Sequence, residues 1–158
     1  MTTRDRLPSK YFPTSGNFDI QTWPMYWLAR LASKYSLAME KRLKRVGMDV
    51  PRWRVAILLK LYSELSISQL AEHSIVKLPT ITKIVYRMQD EGLVSIKTSE
   101  TDGRVSIVSL TEQGAAKLRS VDESTDKLFA RVFEGLSEAE LERFMATMRH
   151  MFANITDA

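Results

Sequence analysis

Between Ser66 and Thr111 the apolar positions run first at helical spacing and then in alternation, which predicts two short helices followed by a hairpin. Ser66-Ile67-Ser68-Gln69 has the form of a capping box, the serine hydroxyl accepting from an otherwise unpaired amide and the glutamine reaching back. Leu70, Ala71 and Ile75 supply the apolar face of the first helix. Val76-Lys77-Leu78-Pro79 interrupts that pattern, and Pro79 fits only near a helix start, where a missing N–H costs nothing. In the second helix Ile81, Ile84, Val85 and Met88 recur at i, i+3, i+4 and i+7, and Gly92 stands where a left-handed cap ends it. Leu93-Val94-Ser95-Ile96-Lys97 and the run from Arg104 to Leu110 alternate as strands around a polar loop containing Asp102-Gly103, forming a wing.

The flanks predict more helix. Residues 1–21, with Pro8, Pro13 and Gly16, read as a mobile or extended arm that can drape over a partner subunit. From about Trp23 to Val46, Leu28, Leu31, Ala32, Tyr35, Ala38, Met39 and Leu43 hold helical spacing until Gly47 ends it. Asp49 suits an N-cap and Pro51 a first turn, with Trp53, Ile57, Leu58 and Leu61 carrying the next helix to about Ser63. After the wing, Thr111 caps a helix striped by Leu118, Val121, Leu128, Phe129 and Val132, which ends near Gly135. A second capping box, Ser137 to Glu140, opens a last helix whose apolar face comprises Leu141, Phe144, Met145, Met148, Met151, Phe152 and Ile155. So broad a face needs a partner, either the first helix of the same chain or the terminal helices of a second subunit. The fold class expected is mainly α with a small β wing. A winged helix-turn-helix over residues 48–111 joins a helical dimerisation region built from 22–47 and 112–158.

With the stripe of the second short helix turned inward, its other face presents Thr80, Thr82, Lys83, Tyr86 and Arg87. Hydroxyl, ammonium and guanidinium groups on such a helix can meet phosphates and base edges of a major groove. Lys77 and Ser68 sit beside it in sequence and join the candidate DNA-binding set, while Arg104 at the wing tip is placed for a neighbouring minor groove. For Lys83 alone a solvated helix face is the better reading, but together with Arg104 and the wing the set reads as a DNA contact. The whole chain is only mildly basic, 23 Lys and Arg against 19 Asp and Glu, so total charge permits nucleic-acid binding without arguing for it. Charge is polarised: residues 30–60 hold nine basic side chains and two acidic ones, and residues 122–158 hold four basic and eight acidic.

The runs VKLPTITKIVYRMQDEGLV, TDGRVSIVSLTEQG and GMDVPRWRVAILLKL together resemble the MarR family of bacterial transcriptional regulators, over most of the chain. The most specific part is the Asp-x-Arg wing followed by Leu-Thr-x-x-Gly, here Asp102, Arg104, Leu110, Thr111 and Gly114. The resemblance places the family's wing arginine at Arg104, its wing aspartate at Asp102 and its recognition-helix arginine at Arg87, with Asp102 orienting neighbouring basic side chains. Pro79 departs from the small residue many members carry. Double-stranded DNA and a homodimer are the implied partners, a two-fold protein matching a palindromic site.

Trp23, Tyr26, Trp27 and Arg30 share one side of the first helix, and Arg52 and Trp53 open the second. Aromatic walls with one cation suit a small aromatic carboxylate effector, held by Arg30 or Arg52, although helical aromatic stripes more usually only anchor a helix in an apolar interface. The family's frequent use of phenolic or carboxylated ligands brings the pocket reading level with the packing one, as an implication of the resemblance. Absence of cysteine removes disulfides and thiolate chemistry, and the eight methionines read as adaptable packing. The two histidines, His73 and His150, fall in no metal-ligand spacing, and neither a phosphate loop nor a nucleophile elbow occurs, so no enzyme, metal or cofactor is expected. Without an apolar run of spanning length, a cytoplasmic protein with no membrane partner is expected. A winged helix that binds protein, or a DNA-binding regulator without a ligand, remains the alternative.

Overall fold

The computed structural model describes residues 7–156, with the side chain of Thr156 excepted. Six α-helices and a three-stranded antiparallel sheet follow one another: α1 Pro24–Arg45, α2 Val50–Tyr62, β1 Glu64–Ser66, α3 Ile67–Ser74, α4 Leu78–Asp90, β2 Val94–Thr98, β3 Ser106–Leu110, α5 Glu112–Val132 and α6 Glu138–Thr156. The chain divides into two compact units, up to Ser124 and from Thr125 onward, with the boundary inside α5. Of the proposed arm, residues 1–6 lie outside the described residues. The remainder is not extended: two short 3-10 helices, Ser9–Tyr11 and Ile20–Thr22, break it into turns, the second capped by Asp19, whose side chain accepts from the Gln21 amide.

Local chemistry sets the element ends in the first unit. The Asp49 carboxylate caps α2 by accepting from the Arg52 amide at 3.0 Å. Ser66 and Gln69 form the expected reciprocal capping box of α3, at 3.1 and 2.8 Å. Helix α4 begins at Leu78 with Pro79 in its first turn, and it ends where Leu93 N–H bonds Met88 O and Gly92 N–H bonds Gln89 O. That closure needs a left-handed residue, and Gly92 supplies it at φ 72° without a Cβ to clash. Helix α3 closes the same way, through Ile75 at φ 51°. Ile75 is therefore a strained turn residue, 73% exposed, and not part of the apolar face the spacing predicted.

The core of this unit gathers Met39 and Leu43 of α1, Val55, Ala56 and Leu59 of α2, Leu70 of α3, Ile81, Val85 and Met88 of α4, and Val108 of β3. Helix α2 departs from its predicted stripe. Arg52, Val55, Ala56 and Leu59 are buried, Trp53, Ile57 and Leu58 are half-buried, and Leu61 is 71% exposed. The helix is apolar on nearly every side, so periodicity alone could not choose the buried one. The sheet has strand order β1-β3-β2, with Leu65 and Ile96 both opposite Val108. The hairpin is as expected, but β1 is an addition. Three residues are too few to show an alternating pattern, and pairing with β3 alone makes them a strand.

In α5 the Thr111 hydroxyl accepts from the Gly114 amide at 3.0 Å and donates to Gly92 O at 2.6 Å, tying the start of the helix to the end of α4. In the second unit Ser137 and Glu140 cap α6 reciprocally, and the carboxyl of Glu140 is held below its usual range by the Ser137 hydroxyl and amide. The predicted apolar face of α6 stands largely open, with Phe144, Met145, Phe152 and Ile155 exposed. Among the described residues no helix is long and apolar enough to cross a membrane, and no group of three potential metal ligands occurs.

Candidate nucleic-acid interface

Burial of Ile81, Val85 and Met88 fixes which side of α4 faces solvent. On that side Lys77, Thr80, Lys83, Tyr86 and Arg87 are exposed, and Ser68 is exposed on α3. Thr82 differs from the expectation of a free hydroxyl. It is half-buried and its Oγ1 donates to Leu78 O at 2.7 Å, which leaves its lone pairs rather than its proton for another group.

At the wing tip Asp102 and Arg104 act as one unit. The Arg104 amide donates to Asp102 Oδ1 at 3.0 Å, its Nε to the same oxygen at 3.1 Å, and its Nη2 to Oδ2 at 3.2 Å. The arginine side chain is nevertheless 90% exposed, so the aspartate holds its base without covering it. Behind the tip, Lys97 of β2 pairs with Glu64 of β1 at 2.9 Å, and this bond raises the lysine above its ordinary value.

The Arg104 guanidinium, and then the Arg104 amide, hold the Asp102 carboxyl below its usual range. A group depressed in the folded state stays ionised above its unfolded value and loses its interaction only as pH falls through the folded one. The Arg104 Nε proton should accordingly keep its NMR signature of a bonded guanidinium at neutral and mildly acidic pH. Loss of that signature above pH about 5 would contradict the assignment.

Arg87 is placed differently from the free cation expected. Its Nε donates to Glu91 Oε1 at 3.1 Å and its Nη1 to Asp49 Oδ2 at 3.3 Å. The same two carboxylates hold Arg52, through Nε to Asp49 at 3.0 Å and Nη1 to Glu91, while its Nη2 donates to Gly47 O at 3.3 Å. Sequence reasoning missed Glu91 altogether and saw only the capping role of Asp49. The i,i+4 spacing of Arg87 and Glu91 was a visible signal for one edge of this cluster.

Of the proposed ligand residues, Tyr26, Trp27 and Arg30 come together on α1. The two rings meet edge to face at 5.4 Å, and the Arg30 guanidinium lies 5.2 Å from the Tyr26 ring and 5.8 Å from the Trp27 ring. Trp23 instead packs on Phe18 at 5.6 Å, and Trp53 is half-buried on α2. Arg52 is buried with its donors committed to Asp49, Glu91 and Gly47, so the part of the reading that gave it an effector carboxylate is set aside. A cleft of about 470 Å³ lies elsewhere, lined by Glu91, Leu93, Gln113, Lys117 and their neighbours, and none of the proposed ligand residues lines it. His73 stacks on Tyr62 at 4.9 Å, a packing role.

A family model described as transcriptional regulator SarA/Rot matches residues 38–121. The chain is 44% identical over 147 residues to the HTH-type transcriptional repressor IacR of Pseudomonas putida, across 93% of this chain and 88% of that one. It is similar in structure to a MarR family transcriptional regulator from Silicibacter pomeroyi DSS, with 24% identity, a TM-score of 0.82 and coverage of 96% and 100% of the two chains. A second similar structure is the PcaV transcriptional regulator from Streptomyces coelicolor in complex with its natural ligand, at 21% identity, TM-score 0.75 and coverage of 88% and 98%. At those identities the two structures speak for the fold alone.

Proposed function

The chain belongs to the MarR-type winged-helix transcriptional regulators, and on that premise we propose that it is a repressor that binds a palindromic operator as a homodimer under the control of a small aromatic acid. It is a DNA-binding regulator and not an enzyme. The observation that carries the finer reading is the exposed polar face of α4 beside a wing whose tip holds an aspartate-braced, exposed Arg104. In this reading α4 enters a major groove and Arg104 the adjacent minor groove, with Thr80, Lys83, Tyr86 and Arg87 on the duplex and Lys77, Ser68 and Thr82 at its edge.

Support for the homodimer comes from apolar side chains left exposed on both terminal helices, Trp27, Leu31 and Leu37 of α1 and Phe144, Met145 and Ile155 of α6. These helices form the dimerisation region in this proposal, and 48–111 the DNA-binding part. A two-fold protein then matches half-sites one helical turn apart. For the effector, the Tyr26, Trp27 and Arg30 cluster offers two aromatic walls and a cation. The carboxylate goes to Arg30, since Arg52 is engaged within the protomer. Ligand then shifts the dimer between spacings that fit the two half-sites unequally, with coupling of roughly 1–3 kcal/mol.

Fluorescence anisotropy with the duplex upstream of the protein's own gene tests this. Expected are a salt-sensitive complex of two chains per duplex and a change in both affinity and Trp emission on adding benzoates, phenylpropenoids or indole acids. No complex with that duplex, or a monomer in light scattering at micromolar concentration, removes the operator and homodimer reading. A complex indifferent to every acid leaves the aromatic cluster with packing alone.

A further inference from the structure

Asp49, Arg52, Arg87 and Glu91 form a closed ring of alternating charge, each carboxylate bridging both guanidinium groups. The members grade from inside to outside. The Arg52 side chain is only 9% exposed, the carboxylates are about one-third exposed, and Arg87 is 59% exposed. Two different parts of the fold meet here: Asp49 is the cap of α2, while Glu91 ends α4. Both residues are held in place, Asp49 by the Arg52 amide on its carboxylate and Trp53 N–H on its carbonyl, and Glu91 by the turn through Gly92.

An arginine normally loses much side-chain freedom on reaching a phosphate or base, and holding it in place beforehand removes that cost from binding. In this ring Glu91 takes Nε of Arg87 and Asp49 takes one proton of Nη1. Nε and one proton of Nη1 are thus engaged, and among the described residues neither Nη2 proton is used, so that nitrogen is left for another acceptor. We infer that Asp49 and Glu91, backed by Arg52, are positioning residues that hold Arg87 ready for the DNA, an inference that rests on the reading of α4 as the DNA-contacting helix.

Electrostatics alone predicts the opposite effect of removing an acid. The ring is neutral, so Glu91→Gln adds one net positive charge beside the duplex and should strengthen binding if the carboxylate does nothing but repel phosphate. Positioning predicts that Glu91→Gln weakens operator binding roughly tenfold, because Arg87 must then be ordered on contact. A double-mutant cycle with the full chain decides between them. In an Arg87→Ala background, Glu91→Gln should produce no further loss of affinity, whereas it should still lower the thermal unfolding midpoint there, because Glu91 also holds Arg52. Asp49→Asn provides a second variant, since asparagine keeps the helix cap while removing the charge, and it should weaken binding in the same Arg87-dependent manner. If Arg87→Ala weakens binding but the carboxylate variants strengthen it, leave it unchanged or add their full effect without Arg87, the positioning role is overturned and DNA contact by Arg87 stands. If Arg87→Ala itself leaves affinity unchanged, the contact fails, and the positioning role with it.

Discussion

Alanine at position 114 is expected to lower the thermal unfolding midpoint by roughly 10 °C, the equivalent of about 3–4 kcal/mol in a chain of this size. A Cβ built on Gly114 lies 2.0 Å from Leu93 O, 2.9 Å from Leu93 C and 3.1 Å from Leu110 Cδ2. The oxygen cannot retreat. It accepts from Thr111 N–H at 3.1 Å, and the Leu93 amide is itself bonded to Met88 O at 2.8 Å in the closure of α4. Helix propensity favours alanine over glycine by only about 1 kcal/mol, so the clash outweighs the gain. Because α5, the end of α4 and the sheet meet there, the distortion should reach the wing, and operator binding should fall together with stability. Circular dichroism melting checks the first effect. A variant as stable as the parent would show that α5 can move off Leu93 at little cost.

Arg104→Ala should leave that midpoint within experimental scatter and yet weaken operator binding about 100-fold, since the proposed homodimer would lose two wing contacts at roughly 1–3 kcal/mol each. Its side chain is 90% exposed and among the described residues it bonds Asp102 alone, two residues away, so folding gains little from it. The loss should be greatest on operators whose flanks are A·T-rich, because a narrow minor groove concentrates the negative potential that attracts a guanidinium. Anisotropy titrations on operators with A·T and G·C flanks measure it. Equal affinities for parent and variant would take the wing out of the interface.

Much of this molecule was legible because its determinants are neighbours in sequence. The capping boxes at Ser66 and Ser137 are closed by residues three positions on, the Asp102 and Arg104 pair spans two, and the Tyr26 and Arg30 pair spans four. The α4 stripe was legible too, since its two faces differ sharply in polarity and only one of them can be buried. Where the chain supplied two defensible faces, as in α2, the pattern chose Trp53 and Leu61, and packing chose Arg52, Val55 and Leu59. Ile75 misled for a related reason: an apolar residue at a helix end reads as core, but the turn back toward α4 needs a left-handed residue there and turns it outward.

By itself, then, the sequence determined the α-helices and many of their caps from interactions within one or two turns of chain, and its patterns gave the hairpin, the exposed polar face of α4 and the family resemblance. Only the tertiary structure decided that Glu64 to Ser66 pair as a third strand, that Gly114 must lack a side chain against Leu93, and that Arg52 and Arg87 share two carboxylates. The Arg52 and Glu91 partners are 39 residues apart. At that separation charge type permits many pairings, and the burial of the apolar faces between them selects one.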